Sequence, residues 1–135
     1  MTISSRFTLR TILTTDAVTA LAMGLLLTVL PETLAALTAL PASLLFYSGL
    51  VLLPLGVLMF AIGRFGHGHA GAVWLVILGN EAWVVASFAL LLTGWVAPNA
   101  LGVAFVVAQA LVVALFAALE YASLRAAPRP ASVQA

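Results

Sequence analysis

Every basic side chain of this chain lies on one side of four long apolar runs. Arg6 and Arg10 precede the first run, Arg64 separates the second from the third, and Arg125 and Arg129 follow the fourth. The connections at 31–43 and 93–99 carry no Lys or Arg. Basic residues gather in the cytoplasmic loops of membrane proteins. The pattern therefore predicts an all-α, membrane-spanning four-helix bundle with both termini cytoplasmic. Lys is absent beside abundant Ala, Val and Leu, which points to a GC-rich bacterial genome and so to a multi-pass protein of the bacterial inner (cell) membrane.

The spans are expected at roughly 11–30, 44–63, 71–94 and 99–124, each near the ~20 residues that cross a hydrocarbon core. Residues 1–125 form a single transmembrane domain, and 126–135, with two prolines and polar residues, a disordered cytoplasmic tail. Pro31 and Pro41 bracket a short stretch with room for one or two helical turns at the interface. Pro98-Asn99 is a helix start. A cleaved leader is not expected, because Asp16 interrupts the front of the first apolar run.

Composition narrows the function classes. Only 7% of the 135 residues are charged and the mean hydropathy is +1.24, against about 25% charged in soluble domains. A net charge of +1 offers no basic face for nucleic acid. With no Cys, disulfides, thiolate metal sites and Cys nucleophiles are excluded. His67 and His69 form a His-x-His in a glycine-rich loop, too few ligands for a metal site. No nucleophile elbow, phosphate loop or HExxH occurs. Neither a metal, a cofactor nor enzymatic activity is expected.

A weak internal repeat runs through the chain at an offset of 65. Thr15-Asp16-Ala17 and Asn80-Glu81-Ala82 each precede Leu-Leu-Leu-Thr by the same interval. Because both halves start on the same side, this is a parallel repeat of two hairpins about an axis along the membrane normal.

Polar residues at depth supply the candidate site. Asp16, counted back from Pro31, is about 22 Å from the outer boundary, and Glu81, counted back from Trp95, about 21 Å. Gln109, counted from Pro98, is about 16 Å deep, near the midplane. Asn80 adjoins Glu81 but points about 100° away, on one face with Ser87. Asp16, Asn80, Glu81 and Gln109 are the candidate intramembrane polar site, since ionisable groups in hydrocarbon face the bundle interior, pair or protonate. Glu120, near the inner surface, is a candidate structural ion-pair partner of Arg64. Asp16 has Arg10, Arg64 or Arg125 as candidate partners. Pro54 frees the carbonyl of Leu50 and is a candidate kink, with Asn80 or Gln109 as donors at the right depth.

Leu9-Arg10 with Asp16, Gly49-Leu-Val-Leu-Leu-Pro54, Asn80-x-x-Trp83-x-x-x-Ser87 and Gln109-Ala110 together resemble a group of small, uncharacterised bacterial integral membrane proteins with four spans. The resemblance covers nearly the whole chain and implies the fold but no activity. Small multidrug-resistance exporters also have four spans and an acid in the first, where Asp16 would correspond. This chain departs from them in having Asp rather than Glu, a second deep acid at Glu81, and an Arg bias that fixes one orientation.

The expected function is that of a non-enzymatic helix-bundle protein binding lipids or membrane partners, with a homo-oligomer or another membrane protein as candidate partner. The alternative is a small oligomeric proton-coupled transporter or channel subunit using Glu81 and Asp16.

Overall fold

A computed structural model describes residues 2–126, with side chains from residue 8 onward. The expected tail, apart from Ala126, lies outside the described residues, as do Arg129 and the side chain of Arg6. The described chain is helical throughout: α1 (Thr2–Val29), α2 (Pro31–Thr38), α3 (Ala42–Ala61), a π-helical turn (Ile62–Gly66), α4 (Ala70–Leu92) and α5 (Ala100–Ala126). Four of these helices are long and apolar enough to cross a membrane: Thr8–Val29, Ala42–Gly66, Ala70–Leu92 and Ala100–Ala126. They match the expected spans to within a few residues. In a bilayer each satisfies its own backbone, which is why apolar runs of this length are helical.

Local chemistry sets the ends. Pro31 occupies the first turn of α2, where its missing N–H costs nothing, and Glu32 sits at the same helix end. The helix stops at Ala39, a left-handed C-cap (φ 58°) whose N–H bonds the carbonyl of Ala35. This is the short helix expected between the two prolines. Asn99 caps α5 by accepting from the Gly102 N–H at 2.8 Å. It also donates through Nδ2 to the Leu37 carbonyl at 2.9 Å, and through its backbone N–H to the Thr38 carbonyl at 3.1 Å. The start of α5 is thereby fastened to the end of α2, against which Gly102 packs so closely that a Cβ would collide with the Thr38 carbonyl oxygen.

The bundle consists of two tight hairpins. The first pairs α1 with α3, the second α4 with α5, and α1 against α5 joins them. Gly49 and Gly56 of α3 and Gly63 of the π-helical turn follow at intervals of seven, and α1 presses on all three. A Cβ on Gly49 would lie 2.8 Å from the Gly24 carbonyl, one on Gly56 2.7 Å from Leu21, and one on Gly63 3.1 Å from Thr14. Small residues of this kind allow the close backbone approach that drives association in lipid. Pro54 stays within a continuous α3. Neither proposed donor reaches the Leu50 carbonyl, because Asn80 and Gln109 are both bonded elsewhere.

The sequential neighbours α3 and α4 meet mainly near the π-helical turn and separate beyond it. Around the turn, Leu13 and Ala17 of α1 pack with Ile62, Val73 and Ile77. At the other end a smaller core forms from Leu27, Leu40, Leu45 and Val106. Between the two cores the wall shared by α3 and α4 stays open.

Candidate functional site

Two polar centres interrupt the apolar stripes along which the helices pack. On α1 the buried positions include Leu9, Leu13, Asp16 and Ala17; on α4 they are Val73, Val76, Ile77, Asn80 and Ser87; on α5 they include Val106, Ala110, Ala117 and Glu120. Each stripe has helical spacing, and Asp16, Asn80 and Glu120 fall at nearly the same level in the three.

Those three residues meet. Asn80 Nδ2 donates to Asp16 Oδ2 at 2.6 Å and to Glu120 Oε2 at 3.3 Å. Asp16 is 3% exposed and Glu120 fully buried. The two carboxyls thus share one amide donor. Glu120 Oε1 is buried and accepts from no group among the described residues. Among the described residues no basic side chain bonds either acid, and the donor that both share is Asn80.

The arrangement corrects the expected ion pair. Arg64 is exposed on the π-helical turn, whereas Glu120 points inward to Asn80. Arg125 bonds the hydroxyl of Tyr121 at 3.2 Å and lies 5.7 Å from the centre of its ring. Asp16 thus finds its partner on α4 and not among the arginines. Counting from Pro98 places Glu120 near the inner surface, yet α5 continues to Ala126 and carries it inside the bundle.

The second centre lies further along α4. Trp83 Nε1 donates to Gln109 Oε1 at 2.8 Å. Gln109 Nε2 donates to Ser87 Oγ at 3.0 Å and to the Val106 carbonyl at 3.0 Å. The Ser87 hydroxyl donates back to the Trp83 carbonyl at 2.7 Å. Each interhelical bond of this kind stabilises a membrane bundle by about 0.6 kcal/mol, and at most about 1.7. Their geometric consequence is larger, since they hold the Trp83 ring in the wall between α3 and α4. That wall encloses a cavity of about 440 Å³. Its lining is apolar apart from Ser48, Ser87, Thr93, Gln109 and the Trp indole nitrogens. A second space of about 170 Å³ follows the same seam toward the π-helical turn, with Trp83 shared between them and Asn80 at its edge.

Glu81 does not join either centre. It is exposed on the outside of α4, eleven residues from both Ala70 and Leu92, so it stands about 16 Å from each helix end. The sequence places Glu81 at the right depth, and Asn80, one residue away, turns inward in its stead. An ionised side chain at that depth in lipid costs roughly 2.5–3.5 kcal/mol even on lenient insertion scales. The 65-residue offset equates Asp16 with Glu81, but the first is buried and the second exposed, so the repeat does not extend to the way these acids face.

Among the described residues no group of three or more His, Cys, Asp or Glu is arranged to hold a metal ion. The fold and its polar centres define an integral membrane protein with four spanning helices. Compared with known protein families, curated proteins and solved structures, the chain matches none of them.

Proposed function

We propose that this protein binds an amphiphile dissolved in the bilayer, held in the cleft between α3 and α4. In this reading it is a non-enzymatic helix-bundle protein of the bacterial inner membrane, with both termini cytoplasmic as the arginine pattern requires. The observation that carries the reading is the cleft itself: an apolar space of about 440 Å³ beside a fixed Trp83–Gln109–Ser87 wall. Small-molecule sites range over about 300–1,000 Å³ and combine apolar linings with a few placed polar groups. The polar groups here carry no charge, so a neutral hydroxyl or carbonyl end suits them better than a phosphate. Because α3 and α4 separate, an acyl or isoprenoid chain can enter from the side.

Tryptophan quenching tests this. With Trp74→Phe and Trp95→Phe, only Trp83 of the three tryptophans emits. In vesicles whose acyl chains carry bromine, Trp83 fluorescence is expected to be strongly quenched, and Ala86→Phe, which fills the cleft, to relieve the quenching. A Trp83 that stays bright in brominated lipid would refute lipid occupancy of the cleft.

The paired acids favour a second reading, that of a proton-coupled transport subunit. Two carboxyls facing one amide can hold and release a proton, and the partner of Asp16 in that role is Glu120 and not Glu81. On this reading Asp16→Asn and Glu120→Gln each abolish flux driven by a pH gradient in reconstituted vesicles, with helicity retained, whereas Glu81→Gln leaves it intact. Unchanged flux in the first two variants removes the reading.

A further inference from the structure

Glu81 is the one acid that the bundle leaves facing outward from the middle of a span. The exposed apolar residues around it mean little alone, since any lipid-facing surface is apolar. Their spacing is more informative. Trp74, Leu78, Glu81, Val85, Phe88 and Leu92 follow one another at alternating intervals of four and three residues. The five apolar members are all exposed. Alternating four-three spacing is the seam of a helix that packs along its length against another helix, and one polar residue within such a seam fixes register and partner number.

We propose that a second copy of this chain covers this face, α4 packing parallel to α4 with Glu81 beside the two-fold axis. The occupant follows from the charge pattern. Copies of a chain whose basic residues all favour one side insert in the same direction, so their α4 helices run parallel. Around a two-fold axis along the membrane normal, each seam residue then meets its twin at its own depth. Glu81 gains the partner it lacks in the single chain, a second Glu81 carboxyl, and the two hydrogen-bond through a proton held on one of them. A foreign helix would have to bring a polar group to the same level, which the twin does by symmetry. Trp83 lies two residues on, about 200° around α4, so the dimer leaves the α3–α4 cleft open to lipid.

The chain has no Cys, so single cysteines report the interface in the full-length protein. In vesicles at high lipid-to-protein ratio, Leu78→Cys and Val85→Cys are expected to form disulfide-linked dimers under mild oxidation, and Ala82→Cys and Ala86→Cys, off the seam, are not. Energy transfer between labelled copies should show Glu81→Gln dimerising like the unsubstituted protein, because an amide pair can replace the acid pair. Glu81→Leu should weaken the dimer about tenfold, the scale of one strong interhelical hydrogen bond. Cross-linking that ignores the four-three pattern, absence of energy transfer in the unsubstituted protein, or a Glu81→Leu dimer of undiminished affinity would each overturn the proposal. Because Glu81 faces outward, Glu81→Gln and Glu81→Leu leave the packing within one bundle intact.

Discussion

Replacing Asn80 with leucine is expected to destabilise the bundle by about 3 kcal/mol, the cost of leaving a buried charged or strongly polar group without its partner. Its amide is the only donor to Asp16 Oδ2 and Glu120 Oε2 among the described side chains, and leucine, branched at the same carbon but without a donor, leaves both carboxyls facing hydrocarbon. Reversible unfolding in bicelles or mixed micelles measures the loss. Its cause is unsatisfied polarity and not altered shape, so the triple variant Asp16→Leu, Asn80→Leu, Glu120→Leu should recover much of the stability, as replacing a whole buried polar group with apolar residues often does. If Asn80→Leu is as stable as the parent, the three residues do not form the network described.

The second large effect is expected where α1 crosses α3. A methyl group added in Gly49→Ala would lie 2.8 Å from the Gly24 carbonyl oxygen and 2.8 Å from Thr28 Cγ2. The carbonyl cannot turn aside without moving its helix, so the two helices must separate. Overpacking of this kind costs about 1–3 kcal/mol, and Gly49→Val should cost more. Gly79→Ala is the control: nothing lies within 4 Å of its added methyl group. It should be neutral or slightly stabilising, by up to about 1 kcal/mol, because alanine is the better helix former. Equal losses at Gly49 and Gly79 would mean that the close crossing of α1 and α3 does not hold in the bilayer.

These effects differ in how plainly the sequence announces them. Arg6, Arg10, Arg64, Arg125 and Arg129, set against four apolar runs, are enough to place the spans; Pro31 and Pro41 bracket the short helix and Pro98-Asn99 starts the last one because their backbone chemistry is local. The direction each span faces was not legible. In a soluble helix the apolar stripe reveals the buried side, but in lipid both sides are apolar and the periodic signal fades. Depth could be counted for Asn80 and Glu81 alike, yet they point about 100° apart, and only packing decides which turns inward. Glu120 was misjudged for a related reason: counting from Pro98 gives its height, while α5 continuing to Ala126 shows that this height lies within the bundle. The interval of seven between Gly49, Gly56 and Gly63 was present in the sequence and is the signal that would have identified the α1–α3 contact.

The clamp made by Asn99 bears on how the cleft trades its contents. Asn99 ties the beginning of α5 to the end of α2, and the π-helical turn joins α3 to α4 at the opposite end. The two hairpins are thus fastened at both ends of the bundle, while α3 and α4 stand apart in between, like a seam stitched only at its ends. An occupant would leave sideways into the surrounding leaflet and not through the aqueous phase. Its residence time would then follow the fluidity of the host membrane, lengthening in gel-phase lipid and staying unchanged when the surrounding buffer is diluted.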